Sequence, residues 1–450
     1  MKILLLSGGS GKRLWPLSNQ VRSKQFLKLL KDENGIYESM IQRVCRQLDS
    51  ISLLSSTYIV TCQNQVETIK NQIGDSINII CEPMQRGTFP SISLASTFLY
   101  SILQADLDET IIVLPVDALV EETFFQHIKI MPHILNESKA NLALVGVIPQ
   151  FPSNQYGYII PEKINKKTYE LISQFIEKPD ESEAIKLIKK NSLWNCGVFA
   201  FPLKFILSTL RSKGLPIDYK QLLQIYKQLS TMSFDYEVAE KTPHSIVVPF
   251  SGTWMDVGSW LSITEVLEDK IIGMGSISDS TETYVINELA LPIHVIGISN
   301  SIIVAGHDGL LIADKNKSIN IKSMIKNNPP MYEEKRWGSY KVLSRSLTVE
   351  GMETQTKILK VTQGKNTSYQ MHNLRQETWT IISGTGEFIL NDHCFPIHEG
   401  DTLIIPKGAK HAVKAITSLE IIEVQLGTKV DEEDIFKYTD SWEDAIKQCK

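Results

Sequence analysis

A short apolar run, Ile3–Leu6, opens directly into Ser7-Gly8-Gly9-Ser10-Gly11-Lys12-Arg13. Glycines at a strand end let backbone N–H groups approach an oxyanion, so this stretch has the make-up of an anion cradle. It is not a Walker A loop, because Gly11-Lys12 is followed by Arg13 where a magnesium-ligating Ser or Thr belongs, and it does not match G-x-G-x-x-G. Further along, Ile111-Ile112-Val113-Leu114-Pro115-Val116-Asp117 is an apolar strand that ends in a carboxylate. Open α/β sheets bind ligands at that carboxyl edge, which makes Asp117 a candidate for Mg²⁺. Read alone, such an Asp is more often a helix cap or a turn residue. A hard cation bridging phosphate oxygens takes one or two carboxylates, and Asp256, in Trp254-Met255-Asp256-Val257-Gly258, is the expected partner. In Phe175-Ile176-Glu177-Lys178-Pro179-Asp180 an acceptor stands beside a cation, a pair suited to a sugar hydroxyl and a phosphate.

These residues need a frame. Ile3–Leu6, Tyr58–Thr61, Ile77–Ile80, Ile111–Leu114 and Leu142–Val147 read as strands, with helical periodicity over Ser39–Leu48, Asn64–Ile73 and Pro90–Leu103 between them. That alternation predicts an α/β fold, a Rossmann-like domain with a mixed, mainly parallel sheet and helices on both faces. From about residue 283 the pattern changes to short β pieces, Tyr284–Asn287, His294–Ile298, Ser301–Ala305 and Leu310–Ala313, which predict a small β connector. After the polar break Lys326-Asn327-Asn328-Pro329-Pro330, strand signals are punctuated at Gly351, Gly364, Gly384, Asn391-Asp392 and Gly400, as expected of a small β-barrel. The expected domains are 1–270, 271–327 and 328–450, the last ending in an acidic, helical tail.

Composition excludes several classes. Apolar residues make up 42% and charged residues 22% of 450, an ordinary globular balance. A net charge of −5 without any long Lys/Arg run argues against nucleic acid. The six cysteines, at 45, 62, 81, 196, 394 and 449, form no C-x-x-C pair, so reduced thiols in a cytoplasmic protein are expected. No apolar stretch has the length of a signal peptide or a membrane span. A homo-oligomer is expected on general grounds.

The stretch GGSGKRLWPLSNQVRSKQFLKLL resembles the N-terminal signature of sugar-phosphate nucleotidyltransferases, most closely the mannose-1-phosphate guanylyltransferases. The resemblance implies a transfer from GTP to mannose 1-phosphate. It places Gly8, Gly9 and Gly11 along the nucleotide, Arg13 at the departing pyrophosphate, Lys24 against phosphate charge, and Asp117 and Asp256 on the metal. It implies that Glu82-Pro83-Met84-Gln85-Arg86-Gly87-Thr88 reaches base and ribose, so that Glu82, Arg86 and Thr88 bind nucleotide. It assigns the sugar phosphate to Glu177, Lys178, Gly157 of Tyr156-Gly157-Tyr158-Ile159 and Asn195 of Trp194-Asn195-Cys196-Gly197. The sequence departs from the family at Lys12 (Thr is common), Ser23 (Pro), Ala118 (His) and Cys196 (Ser), the last read as a buried thiol. Other sugar 1-phosphate and nucleotide pairs stay open, as does a non-catalytic sugar-nucleotide sensor.

Gln370-Met371-His372-Asn373-Leu374-Arg375-Gln376-Glu377-Thr378-Trp379 and Pro406-Lys407-Gly408-Ala409-Lys410-His411 resemble the two cupin motifs, and more specifically the metal motif of type II phosphomannose isomerases. In a strand Gln370 and His372 share a face, where Glu377 and His411 can join them. Such a mixed N/O set suits Zn²⁺ or another divalent metal. The resemblance implies interconversion of mannose 6-phosphate and fructose 6-phosphate, with Arg375 stabilising charge near the sugar. Asn373, Leu374 and Thr378 stand where the family usually has His, and a cupin that only binds metal or supports assembly is the alternative. His393 and His398 are read as surface residues.

Overall fold

The computed structural model describes residues 1–9, 12–162, 168–325 and 328–449. The chain forms two compact units. One comprises Met1–Leu14, Ser23–Val66 and Ile73–Asp269; the other comprises Trp15–Arg22, Glu67–Gln72 and Lys270–Lys450.

The first unit is built on a nine-stranded sheet. Its strands are β1 (Lys2–Leu6), β2 (Thr57–Cys62), β3 (Asn78–Glu82), β4 (Thr110–Pro115), β5 (Leu142–Val147), β6 (Tyr158–Pro161), β7 (Glu170–Ile176), β8 (Leu193–Pro202) and β9 (Ser245–Phe250). They lie in the order β3-β2-β1-β4-β8-β5-β9-β7-β6. All five predicted strands are present. The pairs β3–β2, β2–β1, β1–β4 and β5–β9 are parallel. Strand β8 inserts antiparallel between β4 and β5, and β7 runs antiparallel to both its neighbours. The sheet is mixed as expected, with a smaller parallel share, because β8 was legible as a binding motif and not as a strand.

Both faces are covered. Leu4, Ile111, Val113, Leu142 and Leu144 share a core with Phe89, Ile92, Ala95 and Leu99 of the helix Thr88–Ser101. Their strand neighbours Ile3, Leu5, Ile112, Ala143 and Val145 are equally buried, and the helix Glu122–Ser138 packs against β5 and β8. Burial on both sides explains why these strands read as continuous apolar runs. The helix Met40–Ser50 starts at a capping box, Ser39 with Gln42, where each side chain satisfies a backbone N–H of the other.

In the second unit the stretch 271–314 forms stacked parallel rungs. Ile271–Ile272, Tyr284–Asn287 and Ser301–Gly306 pair in parallel, and Gly309–Asp314 returns antiparallel. Gly275–Ser278 pairs in parallel with Ile293–Ile296. The C-terminal barrel has two antiparallel sheets, one of six strands and one of five. Every predicted turn has its left-handed residue: φ is +79° at Gly351, +77° at Gly364, +91° at Gly384 and +88° at Gly400. Asn391 and Asp392, at +47° and +65°, make the two-residue turn between Gly386–Leu390 and His393–Ile397. The acidic tail is only partly helical. It contains the strand Phe436–Thr439, which pairs with Tyr369–Met371, and a short helix, Trp442–Ile446, whose Trp442 is buried with Tyr369 and Ile389. Among the described residues no helix is long and apolar enough to cross a membrane.

Candidate functional site

The in-register parallel strands bring their carboxyl ends together, since Leu6 lies opposite both Val60 and Pro115. Ser7–Gly9 therefore leave the sheet beside Gln65, Glu82 and Asp117. The carbonyl groups of this loop are held from behind by buried polar side chains. Thr61 Oγ1 donates to the Ser7 carbonyl at 3.0 Å, and Gln25 Nε2 donates to Ser7 Oγ at 3.2 Å. Ser23 Oγ donates to the Gly9 carbonyl at 2.6 Å and accepts from Gln65 Nε2 at 2.8 Å. Ser23 thus does something the Pro usual in the family cannot. Gly8 packs closely on Glu82, since a Cβ there would stand 3.2 Å from Glu82 Oε1. Gly11 lies outside the described residues.

Glu82 is buried beneath this loop, where it accepts from Ser91 Oγ at 2.7 Å and from the Tyr226 hydroxyl. Arg86 and Thr88 also have local partners: Arg86 donates to the Lys227 carbonyl, and Thr88 Oγ1 accepts from the Phe234 amide at 2.7 Å. Through these bonds both residues also contact the segment that ends at Phe234. Gly87, at φ +85°, allows the close approach, since a Cβ there would meet the Met232 carbonyl at 2.3 Å.

Asp117 and Asp256 converge on Lys24, whose Nζ is 2.7 Å from Asp117 Oδ2 and 3.3 Å from Asp256 Oδ1. The meeting is made by a two-stranded ribbon in which Ala118–Val120 pairs antiparallel with Trp254–Asp256 and Asp256 lies opposite Ala118. Burial works against the Lys24 charge, but the two carboxylates outweigh it and raise its pKa. Burial likewise opposes ionisation of Asp117; Lys24, with help from Arg13, more than compensates and holds the carboxyl below its usual range. Arg13 is exposed on the turn Lys12–Leu14. Gly258 packs close enough that a Cβ would lie 3.2 Å from Asp256 Oδ1. Ala118 lines an apolar pocket with Val44, Leu114, Phe124 and Val198.

A second cluster gathers the expected sugar-phosphate residues. Glu177 is buried, its Oε1 accepting from Lys178 Nζ at 2.7 Å. Its Oε2 is enclosed without a hydrogen-bond partner, and a Cβ on Gly157 would lie 2.5 Å from it. Asn195 donates its amide N–H to the Gly157 carbonyl at 2.8 Å, accepts from Gly197 N at 3.0 Å through Oδ1, and donates from Nδ2 to Asp235 Oδ1 at 2.7 Å. Asp235, on the short helix Phe234–Glu237, escaped the sequence reading because Ser-Phe-Asp-Tyr carries no spacing signal. Burial, and then the nearby Asp235, push the Glu177 carboxyl up. Burial pushes Asp235 up as well. Cys196 is buried and its thiol is raised by desolvation, in keeping with an inert packing role.

In the barrel, ligand atoms of His372, Glu377 and His411 lie within 4.8 Å of one another. His372 Nε2 is 3.2 Å and His411 Nε2 is 3.6 Å from the Glu377 carboxylate. Each ring is oriented from behind, His372 Nδ1 by the Asp434 carbonyl at 2.9 Å and His411 Nδ1 by the Ala409 carbonyl at 3.1 Å. Protons on Nδ1 turn both Nε2 lone pairs inward, the arrangement of a metal-ligating pair. Burial drives the His372 pKa down to about 4 and lowers that of His411, so both rings are neutral and ligand-competent at neutral pH. Gln370 joins them, its amide 3.4 Å from His372 Nε2. These donors fit a divalent cation.

Arg375 is buried, donates from Nε to Glu377 Oε1 at 3.0 Å and from Nη1 to the Asp431 carbonyl at 2.6 Å, and has Nη2 3.4 Å from His372 Nε2, so it orients the carboxylate. Trp379 Nε1, at 3.1 Å, and Gln425 Nε2, at 3.0 Å, complete the shell of donors around Glu377. The polar surroundings missing at Asn373, Leu374 and Thr378 are thus supplied from elsewhere. The backbone N–H groups of Asn373 and Leu374 are capped by the tail carboxylate of Asp434 at 3.0 and 2.9 Å. Gln425 also lines a cavity of about 460 Å³, together with Tyr340, Arg345, Gln355 and Glu432. His393 and His398 lie on the surface.

A glycine-containing loop at the carboxyl edge of a mixed sheet, with two carboxylates and a lysine close by, lies where open α/β folds bind ligands. The chain belongs to the nucleotidyl transferase family, whose model matches residues 2–271. Residues 324–440 match the family described as mannose-6-phosphate isomerase C-terminal. The chain is 30% identical to the alginate biosynthesis protein AlgA of Pseudomonas putida, over 97% of this chain and 95% of that one. It is 29% identical to the mannose-1-phosphate guanylyltransferase RfbM of Salmonella typhimurium, over 96% of each. Among solved structures it is similar to one described as mannose-1-phosphate geranyltransferase from Thermus thermophilus, at 26% identity and a TM-score of 0.60, covering 72% of this chain and 98% of that one.

Proposed function

We propose that the first unit transfers a guanylyl group from GTP to mannose 1-phosphate, giving GDP-mannose and pyrophosphate. The observation that carries the reading is the convergence of Asp117 and Asp256 on Lys24 in front of the Ser7–Gly9 loop. An oxygen of the sugar phosphate attacks the α-phosphorus of GTP in line; the new P–O bond forms as the bond to pyrophosphate breaks. Lys24 neutralises charge that develops on the phosphoryl oxygens, and the exposed Arg13 receives the leaving pyrophosphate. No side chain serves as a covalent nucleophile, so positioning and charge are the means of catalysis. Two carboxylates facing one ammonium are the hard donors that Mg²⁺ takes, and the ion, when bound there, supplies further neutralisation of phosphate charge. The similarity to the Salmonella mannose-1-phosphate guanylyltransferase supports the choice of sugar and nucleotide.

The test is a matrix of pyrophosphate release with Mg²⁺, pairing mannose 1-phosphate and glucose 1-phosphate with each of the four nucleoside triphosphates. Release confined to GTP with mannose 1-phosphate is expected. Release with another pair would keep the reaction and change the substrates, and silence from folded protein would favour a sensor.

The inward-turned His372 and His411 beside Glu377 favour a second activity, isomerisation between mannose 6-phosphate and fructose 6-phosphate in the barrel. Zn²⁺ or another divalent metal held by Gln370, His372, Glu377 and His411 would polarise the sugar oxygens. A coupled assay for fructose 6-phosphate, run with metal-loaded and chelator-treated full-length protein, checks it. Absence of interconversion in both would leave the barrel as a metal-binding module.

A further inference from the structure

Four residues of the barrel stand in one row across adjacent strands. Arg345 of Gly338–Leu347 lies opposite Gln355 of Glu353–Val361, Gln355 opposite Gln425 of Leu419–Gly427, and Gln425 opposite Glu377 of Arg375–Ser383. Each is hydrogen-bonded to the next. Arg345 Nε donates to Gln355 Oε1 at 2.6 Å, Gln355 Nε2 to Gln425 Oε1 at 3.1 Å, and Gln425 Nε2 to Glu377 Oε1 at 3.0 Å. The direction of this chain is fixed at both ends. A guanidinium can only donate and an ionised carboxylate can only accept, so neither amide can turn over without setting two like groups against each other. Both glutamines are buried, where an amide that loses its partners is costly, so the row has no cheap alternative arrangement.

The inner end of the row is a candidate metal ligand. Glu377 Oε1 accepts from Gln425 Nε2 and from Arg375 Nε, and these bonds set the plane of the carboxylate. Groups that hold a ligand from behind in this way tune its affinity for metal. The outer end is exposed, and Arg345 lines the cavity of about 460 Å³ together with both glutamines. Arg345 is anchored there in turn, Nη1 donating to the Pro329 carbonyl at 3.3 Å and Nη2 to the Pro330 carbonyl at 3.1 Å. The pair Pro329-Pro330, legible in the sequence only as a boundary, thereby gains a task.

We propose that Arg345, Gln355 and Gln425 are positioning residues for the barrel metal, a directed relay that holds the Glu377 carboxylate in its ligating orientation. Arg345 then acts on the metal from three strands away, about 14 Å at a strand spacing near 4.8 Å. The relay rests on the metal site proposed above and not on isomerisation. Its effect has a sign of its own. Removing a cation at that distance relieves repulsion and, on charge alone, favours metal binding slightly. Loss of the relay weakens it.

The test works from the exposed end, so that the packing of the barrel interior is left alone. Full-length wild type, Arg345→Met and Arg345→Lys are stripped with a chelator, checked by thermal melting, and titrated with Co²⁺. Excess Mg²⁺ keeps the carboxylate pair of the first unit filled. The visible absorption of bound Co²⁺ reports the ligand field, independently of any turnover. Arg345→Met is expected to raise the Kd for Co²⁺ about 10-fold, the lower end of what changes behind a metal ligand cost. Its spectrum at saturation should differ from wild type, because Glu377 is free to turn. Arg345→Lys keeps a donor for Gln355 and should restore both the spectrum and most of the affinity. A Kd for Arg345→Met that is unchanged or lower, an equal loss in Arg345→Lys, or weaker binding with an unaltered spectrum would each overturn the relay. Wild type that binds Co²⁺ without interconverting the two sugar phosphates loses the isomerase reading alone, and the relay is then decided by the variants. Wild type that binds no Co²⁺ loses the ligand set and the relay with it.

Discussion

Lys24 is shared by two carboxylates, and this sets what each substitution around it can reveal. Asp117→Asn removes one charge and leaves Asp256 to hold the ammonium, so the fold should survive. Turnover should not, because the replaced oxygen is one of the two hard donors. We expect a fall of about 10²–10³-fold in pyrophosphate release, the scale seen when one electrostatic contact to a transition state is lost. Near-normal turnover with unchanged melting would remove Asp117 from the reaction. Ser23 offers a finer probe. Its hydroxyl is buried and bridges the Gly9 carbonyl and Gln65, so it fixes the loop without facing the ligand. Ser23→Ala should loosen the loop by roughly 1 kcal/mol, the worth of a neutral hydrogen bond. That predicts a KM for the nucleoside triphosphate about 5-fold higher, with the KM for the sugar phosphate unchanged; an unaltered nucleotide KM would show that the backbone holds the loop unaided.

At the scale of elements, the parallel core was legible and the site was legible only in part, for a physical reason. Strands such as Lys2–Leu6 and Thr110–Pro115 are buried on both faces, so their apolar runs announce them. The ribbon of Ala118–Val120 with Trp254–Asp256 joins distant stretches, and nothing in its composition says that they pair. The same holds for Asp434, whose carbonyl and carboxylate organise the metal strand of the barrel from within a tail that sequence reading left without a role. Arg86 and Thr88 were assigned to nucleotide from motif resemblance, and their tertiary hydrogen bonds to the segment ending at Phe234 could not be foreseen. The junction at Gly87 is a direct test of this last packing. Its φ of +85° and the Met232 carbonyl at 2.3 Å from a built Cβ leave no room for a side chain. Gly87→Ala should destabilise the first unit by about 1–3 kcal/mol from backbone strain alone. Differential scanning calorimetry should register a lower Tm, and an unshifted transition would mean that the segment moves away freely.

At the scale of the molecule, the two sets of functional residues lie in different compact units and share no side chain. The barrel set can therefore be altered while transfer serves as an internal control. Glu377 is a poor choice for this purpose. Arg375, Trp379 and Gln425 all donate to it, and its removal would strand a buried guanidinium at a cost of about 3–5 kcal/mol. His411 is a better one, because its Nε2 is buried with no hydrogen-bond partner, leaving a lone pair that a metal ion would use. His411→Leu keeps the volume of the side chain close and removes that donor. Changes behind a metal ligand typically cost about 10–100-fold in affinity, and losing the ligand itself should cost at least as much. Elemental analysis of full-length protein is expected to find the barrel metal depleted in the variant, with isomerisation lost and pyrophosphate release within about twofold of wild type. Metal retained at the wild-type level would dissolve the ligand set inferred from His372, Glu377 and His411. A parallel fall in pyrophosphate release would instead show that the transfer site depends on the state of the barrel.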